Sequence, residues 1–177
     1  MNQSRLRTAL SLAAISLCLA LAIPPARAMT FQQAAQLAAQ AASGKNPAAL
    51  QSLQAAANNG DANAQFSLGF LYEQGQGVPQ NYTQAAFWYL KAAAQGDAAA
   101  QFNLGAMYQF GVSVPQDYAI AYALYNLAAA SGYTQASANR DSISQQMSEA
   151  DIESGQNLTR MMQNLGVTAA INAYANK

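Results

Sequence analysis

The sequence predicts an all-α protein, a solenoid of stacked antiparallel helix pairs. Three observations carry that prediction. Residues 61–96 and 97–132 are two copies of one 36-residue unit, set end to end with 19 identical positions and no gap, and a fixed period in this range marks a stack of like units. Within each copy, apolar residues recur at helical spacing between Gly- and Pro-containing breaks. Bulky residues (Tyr72, Trp88, Tyr89) interleave with small ones (Gly69, Ala85, Ala92, Ala93), as helices that approach closely require.

Residues 1–28 read as a secretory signal peptide. Arg5 and Arg7 precede an apolar run from Ala9 to Ile23, and Ala26-Arg27-Ala28 fits an A-x-A cleavage site. The run is about 15 residues, short of the roughly 20 that cross a bilayer. Cys18 follows bulky Leu17 inside that run, which does not fit a lipoprotein signal. Cleavage is expected after Ala28, giving a periplasmic or secreted protein. The remaining chain has five basic and eight acidic residues, net charge −3, and no cysteine. Packing rather than disulfides must then hold it together. Its charge gives no footprint for nucleic acid or an anionic membrane, and no second hydrophobic span follows.

Residues 29–60 are expected to form an N-terminal capping helix pair. The segment "TFQQAAQLAAQAASG" is its first helix, and Pro47 suits the first turn of the second. In the unit 61–96, Asp61 caps the first helix. Ala64, Leu68, Leu71 and Tyr72 form its apolar face. Gly69 in mid-helix costs about 1 kcal/mol against alanine, which implies close approach of a neighbouring helix. Gly75 suits the left-handed C′ position. "GVPQN" turns the chain, Asn81 caps the second helix, and Ala85, Trp88, Tyr89, Ala92 and Ala93 face inward. The unit 97–132 repeats this with Asp97 and Asp117 as caps. Residues 133–165 are expected to be a degenerate C-terminal helix pair, its second helix opened by the capping-box-like Ser148-Glu149-Ala150-Asp151. Polar Arg140, Asp141, Gln145 and Gln146 would cover the end of the stack. Residues 166–177 read as a short helix or a loose tail.

Ala64, Leu68, Gly69, Tyr72, Gly75, Gly77, Val78, Asn81, Ala85, Trp88, Tyr89, Ala92, Ala93 and Gly96 resemble the Sel1-like repeat, a bacterial relative of the tetratricopeptide repeat. The second copy departs at Ser113, Leu124 and Asn126-Leu127, changes expected to loosen its loop and alter its outer helix. The resemblance implies a right-handed α/α solenoid whose concave face is lined by the first helices. It also implies a lining of Asn63, Phe66, Phe70, Glu73 and Gln74 in one copy, and Ala99, Phe102, Ala106, Gln109 and Phe110 in the other. Phe66 and Phe102, identical in both, read equally well as core. Phe70 and Phe110 are the better recognition candidates, because they face away from Leu68 and Tyr72.

The chain has no histidine, and its one cysteine, Cys18, lies in the signal segment. That removes Ser-His-Asp and Cys-His nucleophile systems and ordinary transition-metal sites. No Gly-rich loop follows a strand pattern, and Asp61, Asp97 and Asp117 sit where caps belong. No catalytic residue, cofactor or metal is therefore expected. The residues and the resemblance together predict a non-enzymatic scaffold or regulator in the bacterial periplasm. Its partner-binding positions are Asn63, Phe66, Phe70, Glu73, Gln74, Phe102, Gln109 and Phe110, its partner a protein or peptide segment. The alternative is a cell-wall-related enzyme or peptidoglycan-binding protein. Homo-oligomerisation through the end helices is a further option.

Overall fold

The computed structural model describes residues Ala28–Asn176. The expected signal segment thus lies outside the described residues up to Arg27. The helices are α1 (Phe31–Ala42), α2 (Pro47–Asn58), α3 (Ala62–Gln74), α4 (Tyr82–Ala94), α5 (Ala98–Phe110), α6 (Tyr118–Ala130), α7 (Thr134–Ser144), α8 (Glu149–Leu165) and α9 (Val167–Ala175). Among the described residues every regular element is a helix, and none is long and apolar enough to cross a membrane.

Polar caps start these helices. Asp61, Asn81, Asp97 and Asp117 each accept a hydrogen bond from the third amide of the following helix, at 2.7–3.0 Å. Asn46 does the same for α2, and Ser148 with Asp151 closes a capping box on α8. At α7 the corresponding residue is Tyr133, which makes no side-chain cap; its ring packs on Phe102 instead, centroids 4.9 Å apart. Gly75 and Gly111 end α3 and α5 with φ near +66°, the left-handed conformation in which a Cβ is penalised. The following loops are latched alike: Gln80 donates to the Glu73 carbonyl at 2.8 Å and Gln116 to the Gln109 carbonyl at 2.7 Å. Ser113 does not loosen its loop. It keeps a left-handed φ of 60°, close to the 71° of Gly77, and its hydroxyl lies 2.6 Å from that of Thr83.

Within each pair, a tyrosine fills the space a glycine leaves. A Cβ on Gly69 would lie 2.6 Å from the Tyr89 ring, and one on Gly105 2.9 Å from Tyr125. Both rings are fully buried. Between units, Gln65 and Gln101 are buried and donate to the carbonyls of Ala57 and Ala93, at 3.0 and 3.2 Å. Each amide ties a first helix to the end of the helix before it.

The C-terminal elements depart from the repeat. α7 packs on α6, but α8 also packs on α6 rather than pairing with α7. Gly155 sits against the Tyr122 ring, and one turn further along both helices Asn126 donates to the Thr159 hydroxyl at 3.3 Å, so α6 and α8 run parallel. The degenerate pair read over 133–165 is therefore replaced by two helices that share α6 as their support. The contact is local: Tyr122 of α6 fills the hollow at Gly155 and so seats α8 on α6. Residues 167–175 are a helix, and α9 folds back on α4. Val167, Ala170 and Ile171 join Ala85, Tyr89, Leu104, Leu124, Leu158 and Met162 in one core cluster. A second cluster holds α1–α3 with Trp88, and a third joins α6 to α7.

Candidate partner-binding face

Helices α1, α3 and α5 carry two grooves that flank one stripe of α3, where Phe66, Phe70 and Glu73 follow at i, i+4 and i+7. The first, of about 260 Å³, lies between α1 and α3. Its α1 wall is low because Ala35, Ala38, Ala39 and Ala42 line it, with Phe31 at one end; Phe66 and Phe70 form the opposite wall. The second, of about 420 Å³, lies between the end of α3, the start of α4 and α5. Glu73, Tyr82, Asn103, Ala106, Met107 and Phe110 surround it. Phe70 is 40% exposed and Phe110 68%, so both rings stand free beside the grooves.

The structure brings four of the eight sequence-predicted residues to these grooves: Phe66 and Phe70 to the first, Glu73 and Phe110 to the second. Gln74 is exposed and lines neither. Phe66 is half-buried and packs on Tyr89 with centroids 5.9 Å apart, so it serves core and groove together. Phe102 packs between Tyr125 and Tyr133, at 5.5 and 4.9 Å, and lines neither groove. Asn63 donates to the Met29 carbonyl at 2.8 Å. Gln109 accepts from the Tyr125 hydroxyl at 2.7 Å. Tyr82, Asn103, Met107 and the alanine stripe of α1 belong to the grooves and escaped sequence reasoning. The stripe's spacing at i, i+3, i+4 and i+7 was the available signal.

The acceptors at 73 and 109 answer a demand of the core. Tyr89 donates its hydroxyl to Glu73 at 2.5 Å, as Tyr125 does to Gln109. A buried tyrosine hydroxyl needs such a partner. Burial, reinforced by the Glu73 carboxylate, pushes the Tyr89 hydroxyl far above its ordinary pKa, so it remains a donor. Burial also raises Tyr125, against an opposing hydrogen bond with Asn139. Among the residues lining the two grooves, Glu73 alone carries a charge.

Among the described residues no three His, Cys, Asp or Glu side chains converge as metal ligands. What the face offers is apolar surface, two free aromatic rings, amide hydrogen-bonding groups and one carboxylate, a surface suited to recognition.

The Sel1 repeat family model matches residues 62–97 and 98–133. Two solved structures are similar to the chain. One is a protective antigen of uropathogenic Escherichia coli strains displaying an SLR fold, with 28% identity and a TM-score of 0.68 over 81% of this chain. The other is a Sel1 repeat protein from Oxalobacter formigenes, with 36% identity and a TM-score of 0.51 over 55% of this chain. This chain spans only 32% and 40% of their respective lengths. No curated protein matches the chain at a significant level.

Proposed function

We propose, from the premise that residues 62–133 carry two Sel1 repeats, that this protein acts in the bacterial periplasm by seating a segment of a partner protein across α1, α3 and α5. Sel1 repeat proteins are generally protein–protein interaction scaffolds. The observation that carries the reading is the pair of grooves on one helical face, with Phe70 and Phe110 exposed beside them. Aromatic anchors of this kind dominate binding energy where they become desolvated. A partner segment would lay apolar side chains along the alanine wall of α1 and against both rings. The amide of Asn103 and the hydroxyl of Tyr82 would fix its register. The basic n-region, apolar run and A-x-A site of residues 1–28 support export.

The test is crosslinking in living envelopes, with a photoreactive residue at Phe110 and, as control, at Gln145 beyond the grooves. A protein partner captured at 110 and absent at 145 is expected. In pull-downs of that partner from envelope extract, Phe70→Ala/Phe110→Ala without the photoreactive residue should lower its recovery by roughly tenfold or more, the loss of one strong anchor. Equal recovery by the double variant would remove the face from consideration.

A further inference from the structure

We infer that signal-peptide removal creates a structural ion pair, in which the new α-ammonium of Met29 binds the Asp61 carboxylate and locks α1 onto the first repeat. The inference rests on the export reading above and concerns the junction at which processing is expected.

Residue 29 is held on both sides by the first repeat. Its nitrogen donates to Asp61 Oδ2 at 2.5 Å, and its carbonyl accepts from the Asn63 amide at 2.8 Å. Asp61 is already the cap of α3 through its other oxygen, Oδ1, at 2.8 Å from the Ala64 amide. One carboxylate thus serves two donors, 32 residues apart in one case. The second copy has no such arrangement. Ala99 stands where the first has Asn63, and Asp97 takes its hydrogen bonds from the amides of its own helix. The clamp is therefore not a property of the repeat. It is added where the N-terminal pair meets it.

The bond expected to be cut is the one immediately before the clamped nitrogen. Ala28 is exposed and Met29 half-buried, so the boundary between accessible and held chain falls at that bond. Hydrolysis by a signal peptidase adds one water: hydroxyl to the Ala28 carbonyl carbon, hydrogen to the Met29 nitrogen. That nitrogen then takes a proton to become an ammonium. A neutral amide donor facing a carboxylate becomes a full positive charge at the same place, so the hydrogen bond that the carboxylate already strengthens gains the attraction of two opposite charges. Because α1 forms the alanine wall of the first groove, processing would also firm the groove.

The test uses protein released from a cleavable fusion so that Met29 is its first residue, checked by mass. It is compared with the same chain Nα-acetylated, which keeps the N–H donor and removes the charge. The free-amine form should melt about 2–4 °C higher. The difference should vanish in Asp61→Asn, whose side chain retains the α3 cap. Amide exchange in α1 should be slower in the free-amine form, which gives a second readout if Asp61→Asn folds poorly. Equal melting and equal exchange for the two forms would overturn the ion pair, as would a difference that persists in Asp61→Asn. Separately, an exported protein whose first residue is not Met29 would overturn the link to processing, whatever the released chain does. Neither result depends on whether a partner occupies the grooves.

Discussion

Gly69→Ala tests the packing on which the stack depends. The added Cβ would lie 2.6 and 2.7 Å from Tyr89 Cδ1 and Cε1, where unstrained carbon contacts begin near 3.5 Å. The ring cannot swing clear. Tyr89 is fully buried, its hydroxyl is tied to Glu73 at 2.5 Å, and Phe66 packs against it. Overpacking of this kind costs about 1–3 kcal/mol. Alanine returns up to about 1 kcal/mol of helix propensity over glycine. The net loss should be about 1–2 kcal/mol, a fall in Tm of roughly 2–8 °C for a chain of this size. Gly105→Ala, whose Cβ would meet Tyr125 at 2.9 Å, should cost less. Urea unfolding and calorimetry measure both. Tyr89→Leu placed in the Gly69→Ala background should cost less than Tyr89→Leu alone, because the two sites couple. A Gly69→Ala protein that melts at or above the parent temperature would refute the argument that the tyrosine occupies the glycine's hollow.

Two further outcomes follow from the buried polar groups. Gln65 Oε1 accepts from Gln95 at 2.7 Å, whereas Gln101 Oε1 has no hydrogen-bond partner, because Ser131 stands where Gln95 would be; Ser131→Gln should raise stability by about 1 kcal/mol in urea unfolding, and no gain would show that the oxygen is otherwise satisfied. Tyr89, Tyr108 and Tyr125 all have their hydroxyl pKa raised above 10.0, first by burial. In the alkaline range the unfolded chain releases those protons while the folded chain keeps them, so their contribution is full below about pH 10 and is lost above it. The urea midpoint should fall between pH 9 and 11, and less steeply in Tyr125→Phe.

The repeat, its caps and its glycine stops were legible because each is a local matter. Asp61, Asn81, Asp97, Asp117 and the Ser148–Asp151 box announce helix starts through chemistry that acts within four residues. Phe70 and Phe110 were legible as outward-facing because helical spacing turns Phe70 away from Leu68 and Tyr72, and Phe110 away from Leu104 and Tyr108. Two kinds of feature were not. The acceptors Glu73 and Gln109 looked like variable surface, yet each answers a tyrosine 16 residues later in both copies. Their identities differ, but both offer the oxygen that the hydroxyl needs, so a difference between copies hid a shared role. Asn63 likewise differs from Ala99 because its task lies at Met29, outside the repeat. The course of α8 was hidden too, since the Gly155–Tyr122 contact belongs to no periodic pattern.

The return of α9 to α4 changes how the molecule should come apart. In a simple array the last unit peels away first and the remainder survives, like beads leaving a string. Here the final nine-residue helix fastens the terminus two hairpins back, so loosening the end also strips cover from Tyr89 and Ala85 in the middle. Denaturation should then proceed as a single cooperative event rather than unit by unit, and a deletion that ends the chain at Leu165 would harm the centre of the stack as much as its edge.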